Sequence, residues 1–325
     1  MNLQQNFLNP PLRRRFRRPL GLALLCGAAL AVNAADSDSV DLTPKWPVGQ
    51  RLVTQIVVQQ NQQMSRDTGA TMEQKITQEQ KIALDVQRKL DDGGYEVKLK
   101  FLAMKMMVGV GNRTLMSYDS AHPEQASTSA APLHEAMDKV FQANITLELD
   151  PKGEVRKVSG LQEMLNSVLG SSGPSAQMLK GMFNEESVKQ MGVLPQGLPG
   201  RVVKLGESWP YDLDLKMGPL GRLHIAMKYT FQGWEDRGGH RCAVLQYTGN
   251  LSSKAAGQNS PTQIEITDGH MEGKSWFDPQ PGLMRETAGT QTLTMQISAG
   301  GQNMKMVMNQ KVSNKLVSVE PIPKP

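Results

Sequence analysis

Few stretches of this 325-residue chain carry residue types at a spacing that chemistry requires. His134-Glu135-Ala136-Met137-Asp138 has the outline of a zinc-hydrolase helix, in which two histidines four apart grip a metal from one helix face. Asp138 stands where the second histidine must be, so that site fails. Gly269-His270-Met271-Glu272-Gly273-Lys274-Ser275 is one residue short of a phosphate-cradling loop. It also runs into Trp276-Phe277-Asp278-Pro279, which reads as strand and turn rather than as a helix whose N-terminus faces phosphate. Gly170-Ser171-Ser172-Gly173 lacks the Gly-x-Ser-x-Gly of a nucleophile elbow. The other histidines, His122, His224, His240 and His270, fall in loops, turns and the polar side of a strand pattern. No acidic pair stands out for glycoside chemistry. The chain reads as a non-enzyme, with no catalytic residue, metal or cofactor assigned.

Methionine is the one excess with chemical meaning: there are 20, including Met104, Met106, Met107 and Met304, Met306, Met308. A thioether on an unbranched stem can fill a core, line an adaptable groove for an apolar ligand such as a lipid, or ligate copper. Copper sites bring nearby histidines and exposed Met motifs, whereas these residues recur at a core-facing period. Core packing is therefore the first reading and an apolar groove at Met104, Met106, Met304, Met306 and Met308 the second.

The elements that must hold these residues are mostly strands. Tyr95, Val97, Leu99, Phe101 and Ala103 alternate with Glu96, Lys98, Lys100 and Leu102, and Leu223–Phe231 repeats the pattern. Ile145/Leu147/Leu149, Leu293/Met295/Ile297 and Met304/Met306/Met308 do the same. Successive side chains of a strand point to opposite faces, so this pattern predicts antiparallel sheet with one packed and one wet face. Asp91-Asp92-Gly93-Gly94, Asp236-Arg237-Gly238-Gly239 and Asp150-Pro151-Lys152-Gly153 supply hairpin turns. Two stretches run in parallel: Ile82–Leu90, its turn and Tyr95–Leu99 match Met227–Glu235, its turn and His240–Val244, with Gly49-Gln50 and Gly206-Glu207 upstream. Duplication and convergent hairpin chemistry account for this equally well.

Helical spacing replaces alternation at Leu161, Met164, Leu165, Val168 and Leu169, and again at Met178, Leu179, Met182 and Phe183. Pro132–Phe141 is a further short helix. Residues 121–131 and 252–262 are polar loops, and Gly192–Gly200 is a linker.

The N-terminus predicts export. Basic Leu12–Arg18 precedes an apolar run, Leu20–Val32, too short to span a bilayer, and Val32-Asn33-Ala34 suits cleavage between Ala34 and Ala35. Arg13-Arg14-Arg15-Phe16 also fits a twin-arginine signal, which leaves the export route open. The formal charge of +5 belongs to this segment. Without its five arginines the chain carries 31 basic and 31 acidic residues, which removes the case for a nucleic-acid partner. Cleavage leaves Cys242 as the single cysteine, in an apolar alternation with Val244, and no disulfide within the chain can form.

Gly206-Glu207-Ser208-Trp209, Tyr118-Asp119-Ser120, the Asp-Pro-x-Gly turn at 150–153 and the central helices resemble those of a bacterial family of exported proteins of unknown function, over most of residues 45–320. That resemblance implies no activity and no site residues. A looser likeness, at the level of fold, is to periplasmic lipoprotein carriers, whose curved sheet wraps an apolar cavity under helices.

The fold expected is mainly β (α+β): two related antiparallel lobes, or one curved half-barrel, with a helical insert on the concave face. Its parts are a signal peptide 1–34, an N-terminal β lobe 35–160, a helical insert and linker 161–199, a C-terminal β lobe 200–320 and a tail 321–325. The function expected is a periplasmic or secreted carrier of a lipid or lipid-modified partner, with no membrane span in the mature chain. The alternative is an envelope assembly factor that contacts another protein through sheet edges or loops.

Overall fold

The computed structural model describes residues 38–323 except 68, 123–130, 170–182, 193–196, 217–221, 255–261 and 300–301. The signal segment with Ala34 and Ala35, the glycine-serine stretch 170–173 and the helical spacing at 178–182 lie outside the described residues.

Alternation becomes sheet almost everywhere it occurs. The strands are β1 (Ser39–Asp41), β2 (Gln50–Arg66), β3 (Thr71–Lys89), β4 (Tyr95–Val110), β5 (Arg113–Asp119), β6 (Ile145–Leu149) and β7 (Val155–Ser159). They continue as β8 (Val202–Lys204), β9 (Ser208–Lys216), β10 (Arg222–Arg237), β11 (His240–Lys254), β12 (Thr262–Asp278), β13 (Leu283–Ala299) and β14 (Gln302–Pro321). Three described helices, α1 (Ala131–Phe141), α2 (Leu161–Leu169) and α3 (Glu185–Gly192), fall between β5 and β8.

Of the two architectures expected, the continuous one is present. A single 12-stranded antiparallel sheet runs β7-β6-β4-β3-β2-β14-β13-β12-β11-β10-β9, with β5 also on β4. The join is the long ladder between β14 and β2, from Met304 opposite Arg66 to Pro321 opposite Gln50. The tail expected over 321–325 therefore starts as strand: Pro321 is paired, and the Ile322 N–H donates to the Gly49 carbonyl at 3.1 Å. The loop expected at 252–262 is shorter too, because Ser252–Lys254 pair with Arg222–His224.

The sheet stays open, yet its two ends draw near each other. The β6–β7 turn (Pro151–Glu154) and the approach to β9 (Gly197–Gly200, Tyr211) line one cleft of about 350 Å3 with Thr43 and Pro44.

Two hydrophobic cores sit on the same face, here called the inner face. The first is covered by helices. Leu52, Ile82, Leu84, Val86, Val97, Leu99 and Phe101 pack under Met137 and Val140 of α1, Leu161, Met164, Leu165 and Val168 of α2, and Val188 of α3. The second, built on Trp209, Tyr229, Phe231, Leu245, Tyr247, Phe277 and Leu293, is capped by Val40 and Leu42 and by Val203 of the small β1–β8 ribbon. The chain between β1 and β2 straps the two together. Leu42 enters the second core and Trp46 the first, and the Lys45 N–H donates to the Gly282 carbonyl at 2.9 Å.

The repeat seen in the sequence has a geometric counterpart. The Gly49 N–H donates to Val86 O and the Gly206 N–H to Phe231 O, each at 2.8 Å, and both glycines have positive φ. Val86 and Phe231 are matching positions of the two stretches. A β-bulge follows each, between Val86 and Arg88 and between Phe231 and Gly233.

Candidate ligand-binding face

The inner face is read row by row from the strand register, since residues directly opposite each other share a face. Rows along a strand lie about 7 Å apart, and neighbouring strands about 4.8 Å apart. Beyond the two cores, toward the β2–β3 and β13–β14 turns, one row consists of Met72, Met64, Met306, Met295 and Ile266 on β3, β2, β14, β13 and β12. The row nearer the tips holds Arg66, Met304, Ile297 and Ile264. The row on the core side holds Gln74, Gln62, Met308, Leu293 and Gly269.

The methionine groups singled out from the sequence thus part company. Met104 and Met106 are 3% and 4% exposed inside the helix-covered core. Met304, Met306 and Met308 are half-buried at the open end. Of their partners, Met295 and Ile297 belong to an alternation legible in the sequence but not assigned to the groove, whereas Met64, Met72, Ile264 and Ile266 carry no such signal. Met72 is 43% exposed, and the others named here are half-buried. Hairpin symmetry could have found part of this set. Met295 and Met306 lie equally far from Gly300-Gly301, and Met64 and Met72 equally far from Thr68.

The row has two borders. On β12 and β13 the apolar surface continues through Leu293, Gly269 and Met271 into the second core. On β2 and β3 it meets a ladder of glutamines. Gln60 donates to Gln62 at 3.0 Å, Gln62 donates to Gln74, and Gln78 donates to Gln80 at 3.2 Å. Polar groups that satisfy one another can sit on a half-buried face without the cost of lost hydration. The result is an apolar lane over β12–β14 beside a polar band over β2–β3.

Charge is one-sided here. From the Thr54 row to the tips, the inner-facing positions of β2–β4 and β12–β14 hold no Asp or Glu among the described residues. Arg66 is their one cation, exposed at the rim, and Arg113 of β5 lies opposite Val110 farther along the edge.

Close packing shapes the second core and the floor of the lane. Tyr247 lies across two neighbouring strands: a Cβ on Gly289 would stand 2.1 Å from its hydroxyl, and one on Gly273 would stand 2.4 Å from it. Burial pushes the Tyr247 phenol up to about 12, so it stays neutral at any ordinary pH.

His134, His224, His240 and His270 lie on four different elements. His134 sits on α1 with its ring edge-on to Tyr118, 5.3 Å between centroids. His224 Nδ1 meets Asp214 Oδ1 at 3.0 Å, and His270 lies exposed on β12. His240 Nδ1 is 3.0 Å from Asp278 Oδ2 and 3.1 Å from Arg285 Nη2. Cys242 is buried close by, but its thiol points to the His240 carbonyl at 3.5 Å rather than to the imidazole. Burial, reinforced by the Asp278 carboxylate, pushes that thiol up to about 11, which suits a packing residue and not a nucleophile. Gly269–Ser275 runs within β12 as extended strand, so it forms no phosphate loop. Among the described residues no group of three or more His, Cys, Asp or Glu could hold a metal. No described helix is long and apolar enough to cross a membrane.

Solved structures similar to this chain are distant. Lipovitellin, from a structure titled for its lipid–protein interactions, shares 9% identity at a TM-score of 0.45, over 86% of this chain and 26% of its own. The chain thus spans about a quarter of the lipovitellin chain. An outer membrane channel from Pseudomonas putida F1 shares 7% identity at a TM-score of 0.19, over 84% of this chain and 97% of its own. A mutant porin of Rh. blastica shares 8% identity at a TM-score of 0.21, over 80% and 99%. No curated protein matches the chain. The model of a family of unknown function matches residues 92–284, more than half the chain, and this protein belongs to that family, DUF6263.

Proposed function

We propose that the protein is an exported, non-enzymatic binding or carrier protein of the cell envelope that holds an apolar ligand on the lane of β12–β14. One observation carries the reading. The sheet face that is buried core elsewhere continues beyond the buried residues as half-buried methionine and isoleucine, of which Ile266, Met271, Met295 and Met308 border the second core and Met64, Met304, Met306, Ile264 and Ile297 extend it toward the tips. A surface of this kind is a liability for a soluble chain unless something covers it. Methionine suits the role, because three rotatable bonds and a polarisable sulfur let one surface adapt to a flexible chain.

The test is titration of the purified protein with an environment-sensitive acyl fluorophore, beside native mass spectrometry and lipid extraction of protein taken from its own envelope. Saturable binding, abolished by Met306→Glu, is the expected result. A flat titration together with ligand-free extracts overturns the reading.

A specific observation supports the assembly alternative. Among the described residues the β13 ladder ends at Lys315, beyond which β14 pairs with β2, and Val317 and Val319 are exposed on this stretch. A free strand edge accepts a partner's strand by backbone hydrogen bonds. A crosslinking pull-down from the envelope that returns one partner through this edge would favour that role.

A further inference from the structure

We infer that the ligand of the lane is a single-chain anionic amphiphile, a long-chain carboxylate, with its headgroup at the rim beside Arg66 and its chain running inward over Met304, Met306, Met308 and Met271. This inference rests on the binding role proposed above and names the chemistry of the occupant.

Three features of the face converge on it. The first is the direction of polarity. Arg66 stands in the same row as Met304, Ile297 and Ile264, so a cation and an apolar floor meet at the open end and nowhere deeper. A carboxylate placed there keeps its charge in water while its chain is buried, the arrangement long amphipathic groups adopt at interfaces. The second is charge complementarity. With no inner-facing acid in these rows, nothing on the face repels an anion or neutralises Arg66, which makes no ion pair among the described residues. A cationic headgroup would be repelled at this rim, and a neutral one would accept hydrogen bonds there without the charge attraction. The third is dimension. From the Met304 row to Met271 is three row spacings along the strands, ~20 Å, enough for one long acyl chain. The glutamine ladder on β2 and β3 bounds the apolar strip at about three strands, and in its deepest row Gln291 and Gln310 stand beside Met271, which narrows the strip over β12–β14 to one strand's width, about 5 Å, the width of one acyl chain.

The experiment compares oleate with oleyl alcohol, an equal chain with a neutral head, on wild type, Arg66→Gln, Arg66→Lys and Arg113→Gln, each checked for native circular dichroism. Tighter binding of oleate by wild type is expected. Arg66→Gln should weaken oleate about threefold, as for an exposed ion pair, and leave oleyl alcohol unchanged. Arg66→Lys should keep the preference and high salt should erode it. Equal binding of acid and alcohol, or an unchanged preference in Arg66→Gln, overturns the headgroup assignment while the apolar lane stands. An effect of Arg113→Gln equal to that of Arg66→Gln overturns the placement of the headgroup. Binding of neither probe, with binding only to phosphatidylglycerol vesicles, overturns the single-chain occupant. Binding of neither probe and of no vesicle removes the lane itself as a site.

Discussion

The two cores rest on matching hairpins and are covered in different ways. In the first, the position of Val86 lies beneath helices that supply a second layer of side chains. In the second, its counterpart Phe231 has no described helix above it. There the sheet's own residues fold over their neighbours, Tyr247 across Gly273 and Gly289, and Leu251 over Gly269. A separate layer leaves sheet residues standing upright and needs a long insert between strands. A flattened layer needs only glycines opposite large residues, the cross-strand pairing by which aromatic rings shield bare backbone. Cover is therefore economical in the second lobe: the first uses a helical insert, the second only the short β1–β8 ribbon and lateral neighbours, and the lane begins where both kinds of cover stop.

Emptying the second core is expected to have the largest effect. Phe231→Ala is expected to cost about 4 kcal/mol, because a fully buried ring leaves a cavity that a thin core cannot collapse around. Chemical denaturation should still show one transition, since the β14–β2 ladder makes both cores part of one sheet. Two separated transitions would show instead that the halves fold independently.

A smaller effect is expected from the outer face of the helix-covered lobe. Asp85, 1% exposed, accepts from Arg51 Nε at 2.6 Å and Nη2 at 2.9 Å, with Lys100 Nζ at 3.5 Å. Burial alone would raise that carboxyl, but the Arg51 hydrogen bonds and charge hold it below the usual carboxylate range. Its contribution is present above the unfolded-state pKa of about 4 and is lost as pH falls through the lower folded value. Arg51→Met should cost about 3 kcal/mol at neutral pH, because it strips a partner from a buried charge. The variant should also lose less stability than wild type between pH 5 and pH 2. Parallel acid profiles for the two proteins would remove this pair from the account.

The flattened cover itself should respond to a single methyl group. Gly289→Ala puts a methyl 2.1 Å from the Tyr247 hydroxyl and 2.6 Å from the Glu272 carbonyl, and should cost about 2 kcal/mol. In Tyr247→Leu the ring clash is gone, so the same substitution should cost clearly less. A double-mutant cycle reads the coupling, and strict additivity would mean that Tyr247 does not depend on the bare backbone beneath it.

Much of this was legible in the sequence, for a local reason. Alternation over Tyr95–Ala103 and Leu223–Phe231 reports which side chains share a face, and Asp236–Gly239 reports a turn whose two glycines, at φ 57° and 81°, match the twist of the flanking strands. The repeat was legible down to matching positions, though only the paired Gly49 and Gly206 hydrogen bonds give it a geometric meaning. The lane was harder to see. Met104/Met106 and Met304/Met306/Met308 look alike in sequence, and what separates them is which strand lies beside each and whether a helix lies above. Lateral order is set by pairing between residues more than 200 positions apart, as for Met64 and Met306, and no local pattern encodes it. Arg66 is silent in the sequence for the same reason: beside Ser65 and Asp67 it looks like an ordinary turn residue, and only the register sets it next to Met304.

The ladder between β2 and β14 also dictates an order of events. Gln50–Arg66 must wait for Gln302–Pro321, made more than 200 residues later, so during synthesis the hairpins built on it carry a long unpaired margin until that strand arrives. A ribbon left waiting in this way invites wrong partners, which makes the closing strand a timing device as well as a structural one, and makes a chain cut short before Gln302 a candidate for aggregation rather than for a smaller working fold.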